Sequence, residues 1–398
     1  MHCVQNITPD IFWVGGSDRR IALFENMFPL TDGMMYHSYL IKDEKTMLVD
    51  TVDRSVAAQH FENLEYVLDG RKLDYLVLNH MEPDHCSGIG DIVQRWPDVQ
   101  IIGNKKTLQF MNQFYQFDNA VNRYEIKEGD SLSIGRHTLQ FFLTPFIHWP
   151  ETMMTYEPTT KTLFSADAFG SFGGFSGNLF ADQVDFDRDW LDDARRYYTN
   201  IVGRFGAQVQ TALKKLSGLE IDRICPLHGL VWRENLGYIL EKYNRWSSFT
   251  PEVNGVVIAY ASMYGNTENA VNILANMLSQ KGIHQLSVFD VSKTHPSYII
   301  SEMFRNSHFV IASPTYNLEI YPVMEALLSE MKMLNLKNRK AAILANGTWA
   351  PRAGSLIADR IAEMKIDLVS EPFIITSGLK ADQLAAIEKI ANDITASF

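Results

Sequence analysis

Two α/β domains in series are predicted: a mixed α/β first part (1–250), then a doubly wound parallel sheet of five strands (251–398). The 398 residues exceed what one hydrophobic core normally organises. The stretch SSFTPEVN (247–254) breaks the apolar patterning, and Pro251 among Ser and Asn reads as a linker. Beyond it, apolar strand-like runs alternate regularly with helical periodicity, the pattern of a parallel sheet covered on both faces.

In the first part, TMLVDT (46–51), YLVLN (75–79) and TLFSAD (162–167) are apolar runs that end in polar residues. Helical stretches are expected near 56–68 and 105–116. In the second part, GVVIAYAS (255–262) is a buried strand. The following TENAVNILANMLSQKG (267–282) places Ala270, Val271, Leu274, Met277 and Leu278 on one helical face. Gly282 is suited to end that helix. Further strands are predicted at 286–291, 308–316, 340–348 and 372–377. Helices are predicted at about 296–306, 322–333, 353–364 and 381–396.

Composition narrows the function. A formal net charge of −11 argues against general nucleic-acid binding, which needs clustered Lys and Arg. No apolar run approaches the roughly 20 residues that span a bilayer. The N-terminus MHCVQNITPD lacks a basic segment followed by an apolar one, so a cytoplasmic protein is expected. Cys3, Cys86 and Cys225 form no CxxC pair, which excludes a disulfide framework or a tetrathiolate iron site. Cys86 is read as a packing residue.

The chemistry concentrates in NHMEPDHC (79–86), where His80, Glu82, Asp84 and His85 crowd four metal-ligand types onto a loop leaving a strand. A solvated polar loop, or a helix cap at Asp84, explains one such residue more readily than four. Downstream, His148, Asp167 and His228 each follow an apolar run, so strand ends can deliver them to a common pocket. A second constellation lies in the other part. SMYGNT (262–267) joins a strand to a helix N-terminus, where backbone N–H groups and the helix dipole favour an anion. Ser262, Asn266 and Thr267 add side-chain donors, and Gly265 permits close backbone approach. The loop lacks the GxGxxG of dinucleotide folds and the Lys of a P-loop.

HxExDH with the three downstream positions resembles the metallo-β-lactamase superfamily, whose usual hydrolases carry HxHxDH and bind zinc. Glu82 in place of the second His is the mark of the flavodiiron proteins, and the resemblance covers essentially the whole chain. It implies a metallo-β-lactamase-like αββα sandwich followed by a flavodoxin-like domain. It further implies that His80, Glu82, His148 and Asp167 bind one iron and that Asp84, His85, Asp167 and His228 bind the other, with Asp167 bridging. Imidazole suits zinc and iron alike, whereas carboxylates favour harder ions and offset the rising charge as iron is oxidised. By the same resemblance Phe24, Glu25 and Trp149 line the substrate pocket, and GSFGGFSG (170–177) lies near it and near a subunit contact.

SMYGNT, with Met263 and Tyr264, looks like the FMN phosphate loop of flavodoxins. SPTYN, including Pro314, Thr315, Tyr316 and Asn317, and NGTWAP, including Asn346, Gly347, Thr348 and Trp349, fall where flavin-ring contacts belong. NGTWAP departs from the Gly-Ser-Tyr-Gly-Trp that such domains more often carry. The expected function is reduction of O2 to water, of NO to N2O, or of both, at two irons, with electrons delivered through FMN. A head-to-tail homodimer, or a homotetramer, is expected. No rubredoxin-type cysteine framework occurs, so the donor is expected to be separate: rubredoxin, a similar carrier, or reduced coenzyme F420. The rival expectations are a zinc hydrolase fused to a flavodoxin-like domain and an electron carrier whose metal half is structural.

Overall fold

The computed structural model describes residues 1–117 and 121–398. The chain divides into two compact units, Met1–Tyr198 with Ala207–Asn244, and Thr199–Gly206 with Arg245–Phe398. The segment expected as a linker is built into the second unit. Arg245 donates to the Pro251 carbonyl at 2.8 Å, and Trp246 Nε1 donates to Glu252 Oε1 at 2.8 Å.

The first unit holds two large sheets, besides the short pairs Gly16–Asp18 with Met34–Tyr36 and Leu23–Phe24 with Phe28–Pro29. One contains β1 (Gln5–Asn6), β2 (Ile11–Trp13), β3 (Tyr39–Lys42), β4 (Thr46–Val49), β5 (Tyr75–Val77), β6 (Gln100–Asn104) and β7 (Asn122–Ile126), in that spatial order. It is antiparallel through β4 and parallel from there to β7. The other contains β8 (Ser131–Ser133), β9 (Thr138–Leu143), β10 (Met153–Glu157), β11 (Thr162–Phe164) and β12 (Arg223–Cys225). Alternation along the first sheet sends Leu40, Leu48, Leu76 and Ile101 to one face. There they share a core with Leu64 of α1 (Ala57–Leu68) and with Ile92 and Met111 farther along the chain. Tyr39, on the opposite face, meets Phe164 of β11 with ring centroids 5.4 Å apart, so the two sheets pack together.

In the second unit, β13 (Val253–Tyr260), β14 (Leu286–Asp290), β15 (Asn306–Tyr316) and β16 (Lys340–Asn346) lie in the order β14-β13-β15-β16, all parallel. The fifth position, expected as one strand at 372–377, is shared by β17 (Asp367–Leu368) and β18 (Phe373–Ile375), both paired with β16. Pro372 has no N–H for the ladder, and β18 starts just after it. This is the doubly wound flavodoxin-like order, whose ligand crevice lies at the strand C-termini beside the switch from β14-β13 to β15. The helix Asn266–Gln280 buries Ala270, Val271, Leu274 and Leu278 against Val256 and Ile258, with Met277 half-buried. Gly282, at φ +88°, follows its C-cap in the left-handed conformation that glycine adopts without strain.

Candidate metal centre and cofactor cleft

Parallel pairing decides which polar residues meet. β11 and β12 are in register from Thr162↔Arg223 to Phe164↔Cys225, so Asp167 and His228 emerge from the same edge. β5 leads directly into Asn79 and His80. The expected loop is in part a single helical turn, α2 (Pro83–Cys86), carrying Asp84 and His85 with Glu82 at its N-cap. Pro83 starts the turn because its fixed φ suits a first helical position, where the missing N–H costs nothing.

All seven singled-out ligand types converge. One donor atom from each of His80, Glu82, His148 and Asp167 lies within 4.8 Å of the others, as do donor atoms of Asp84, His85 and His228. Asp167 joins the two groups. Its Oδ2 is 3.3 Å from His80 Nε2 and 3.1 Å from His148 Nε2, while its Oδ1 is 3.2 Å from His85 Nε2 and 3.6 Å from His228 Nε2. Glu82 Oε2 is 2.9 Å from His148 Nε2 and 3.3 Å from His80 Nε2.

The electrostatics call for cations. Burial alone pulls the His148 imidazole down, yet Asp167 and Glu82 overcome it and hold it at about 9. Asp167 is buried, which opposes its charge, yet His85 and His80 drive its carboxyl well below the ordinary range. His80 donates Nδ1–H to Glu151, which leaves its Nε2 facing Glu82 and Asp167, each at 3.3 Å. The carboxylate oxygens of Asp84 and Asp167 are buried without a hydrogen-bond partner among the described residues. Imidazole nitrogens converging with buried carboxylate oxygens are the donor set of a metal pair, and bound cations can take the place of the protons these imidazoles hold, so the residues present fit two hard or borderline cations.

Several neighbours hold these side chains, and the sequence reading missed most of them. Glu151 Oε1 accepts from His80 Nδ1 at 2.8 Å and from the Met81 amide at 2.9 Å. Asp50, at the end of the strand TMLVD, accepts from the Asn79 and His80 amides at 2.7 and 3.2 Å. Its burial outweighs His85 and these amides and pushes it up to about 6. Tyr197 is buried with its ring 5.5 Å from His228. Burial, then Asp167 and Asp84, keep its hydroxyl protonated. Position offered signals for two of them: Glu151 follows His148 in HWPE, and Asp50 ends an apolar run as Asp167 does.

Glu25 and Phe24 help line a cavity of about 330 Å³ that also touches Glu82, Asp84 and Tyr36. Confinement, then the negative Glu82, push the Glu25 carboxyl up to about 8. Trp149 is half-buried and stands perpendicular to His80 at 5.4 Å. Within GSFGGFSG, Phe172 packs against Phe24 at 5.8 Å. Cys86 is buried in the core with its thiol donating to the Met81 carbonyl at 3.3 Å, and burial pushes that thiol up to about 12.

In the second unit the three loops at the C-terminal ends of β13, β15 and β16 form a cleft of about 180 Å³. Ser262, Met263, Tyr264, Asn266 and Thr267 line it, with Pro314, Thr315, Asn317, Asn346, Gly347, Thr348 and Trp349. Leu318 and Ser377, not singled out beforehand, line it too, whereas Tyr316 does not and meets Tyr321 at 5.8 Å. Gly265 sits at φ +87° as the N-cap of the helix 266–280, and its amide donates to Ser262 Oγ at 3.1 Å. The start of this helix, with aromatic edges and hydroxyls around it, fits a phosphate-bearing planar ring.

Residues 34–229 match the family model described as ODP family beta lactamase. A nitric oxide reductase of Moorella thermoacetica is 33% identical over 92% of this chain and 91% of its own. An anaerobic nitric oxide reductase flavorubredoxin of Vibrio vulnificus is 33% identical over 90% of this chain and 73% of its own. Among solved structures, the rubredoxin oxygen:oxidoreductase of Desulfovibrio gigas superposes with a TM-score of 0.94 at 26% identity, covering 99% of this chain and 98% of that one. The flavodiiron protein of Giardia intestinalis gives 0.93 at 26% identity, covering 100% and 98%. With that agreement across nearly its full length, the chain belongs to the flavodiiron protein family and is an oxidoreductase.

Proposed function

We propose that the protein reduces NO to N2O at two irons, using electrons that reach them through FMN from an external carrier such as rubredoxin. The observation that carries this reading is the arrangement around Asp167, whose two oxygens face two separate sets of imidazole and carboxylate donors. The relatives at 33% identity named for nitric oxide reduction favour NO. Reduction of O2 to water is the second reading, favoured by the Desulfovibrio gigas likeness.

In this reading His80, Glu82 and His148 would hold one iron and Asp84, His85 and His228 the other, with Asp167 offering one oxygen to each set. SMYGNT takes the FMN phosphate, and the loops at 313–317 and 346–351 take its ring. Bound iron and FMN supply the redox chemistry and an open position for a diatomic gas. The chain supplies the rest. Glu151 and the Met35 carbonyl fix the ring orientations of His80 and His228, so their Nε2 atoms face inward. Phe24, Tyr36 and Trp149 present ring carbon near the centre and limit water there. Reduction of either gas consumes protons, and Glu25, at the cavity wall beside Glu82, is placed to hold one. The assembly proposed is a head-to-tail pair of chains.

Anaerobic protein loaded with iron and FMN should consume NO when supplied with chemically reduced rubredoxin, and O2 in a parallel reaction. Consumption of neither gas, or a zinc content with hydrolase activity, would overturn the proposal.

A further inference from the structure

The two donor sets around Asp167 are formally alike. Each offers two imidazoles and one terminal carboxylate: His80 and His148 with Glu82, and His85 and His228 with Asp84. What stands behind the imidazoles differs. His80 Nδ1 donates to a carboxylate, Glu151, at 2.8 Å with both side chains buried. His228 Nδ1 donates to a neutral group, the Met35 carbonyl, at 2.7 Å. His85 Nδ1 is buried and meets no hydrogen-bond partner among the described residues.

A carboxylate that accepts an imidazole N–H fixes the tautomer and makes the opposite nitrogen a stronger donor, while a carbonyl polarises it less. Glu151 is well set for this. Its Oε1 is also held by the Met81 amide at 2.9 Å, and its backbone carbonyl accepts from Asn104 Nδ2. Its Oε2 is buried and meets no donor among the described residues, so two N–H groups are left to share its charge.

We propose that Glu151 is a positioning residue that makes the two metal positions inequivalent, giving the His80–Glu82–His148 position the higher affinity. This rests on the two-metal reading above. The test is an anaerobic titration of metal-free full-length protein with Co(II), against a chromophoric competing chelator. Wild type should bind two ions in separate steps, the first tighter. Glu151→Gln keeps the shape and removes the charge, so the first step should weaken about 10- to 100-fold while the second stays in place. Should that variant fail to fold by circular dichroism, Glu151→Asp keeps the charge but withdraws it from His80, and should also weaken the first step selectively. Unchanged steps, or equal weakening of both, overturn the role of Glu151 and leave the metal pair standing. Fewer than two ions bound by wild type overturns the metal pair and this proposal with it.

Discussion

His85 Nε2 lies 3.0 Å from His228 Nε2, two ring nitrogens brought together from segments far apart in the chain. His228 spends its other ring N–H on the Met35 carbonyl, so in the neutral ring the nitrogen facing His85 carries a lone pair. Asp84 Oδ2 stands 3.3 Å from the first and 3.2 Å from the second. A ring nitrogen of each histidine and a carboxylate oxygen thus converge within hydrogen-bonding distance, where a proton on His85 Nε2 or a shared cation can hold them together.

Removing one member should therefore empty one position and spare the other. His228→Ala should lower bound iron from two to about one per chain, with FMN content unchanged. Elemental analysis with flavin absorbance checks this. Loss of both metals, or of neither, would show that His228 does not serve one position.

Glu82 should bias the choice of metal. Glu82→His restores the HxHxDH pattern and exchanges an anionic oxygen for a softer imidazole, so the iron-to-zinc ratio should fall several-fold in protein made with both metals present. Elemental analysis of paired preparations reads the ratio directly.

The flavin cleft depends on backbone shape as well as on side chains. Gly265→Ala meets no atom within 4 Å, so its cost comes from φ +87° alone, about 1–2 kcal/mol. The strain falls on the loop expected to receive phosphate, so FMN should bind about tenfold more weakly, at roughly 1.4 kcal/mol per tenfold. Trp349, 67% exposed at the cleft, has little else to pack against, so Trp349→Ala should weaken FMN with a small change in thermal stability. Fluorescence titration of the flavin-free protein measures both.

Acid should destabilise the protein through histidines remote from the metal centre. Burial lowers His60 from 6.5 to about 4, and burial with Lys340 lowers His308 likewise to about 4. The unfolded chain then binds more protons between those limits. The stability contributed by these neutral rings is complete above about 6.5 and is lost as pH falls towards 4, in total on the order of a few kcal/mol. Urea midpoints should drop between pH 7.5 and 5, and His60→Gln with His308→Gln should flatten that dependence. An unchanged slope would assign the acid limb to other groups.

The second unit was largely legible because helix and strand periods alternate there without interruption, so Val256 and Leu274 announce both element and face. Its fifth strand formed at Phe373–Ile375, inside the expected 372–377, while Asp367–Leu368 beside it was missed because two residues display no period. In the first unit, residue types at strand ends marked the converging side chains. The supports were hidden because a carboxylate such as Glu151 becomes meaningful only once β10 and His80 are seen to be neighbours. The turn at Pro83–Cys86 was missed because four residues cannot display a helical period. Tyr316 points to Tyr321 rather than lining the cleft, a choice of rotamer that spacing does not encode.

Two irons are proposed to sit on either side of Asp167. Anomalous diffraction from crystals of the iron-loaded protein, recorded at the iron absorption edge, tests it most directly. Two adjacent peaks are expected, one among His80, Glu82 and His148, the other among Asp84, His85 and His228, with Asp167 touching both. A single peak, or peaks away from Asp167, would contradict it.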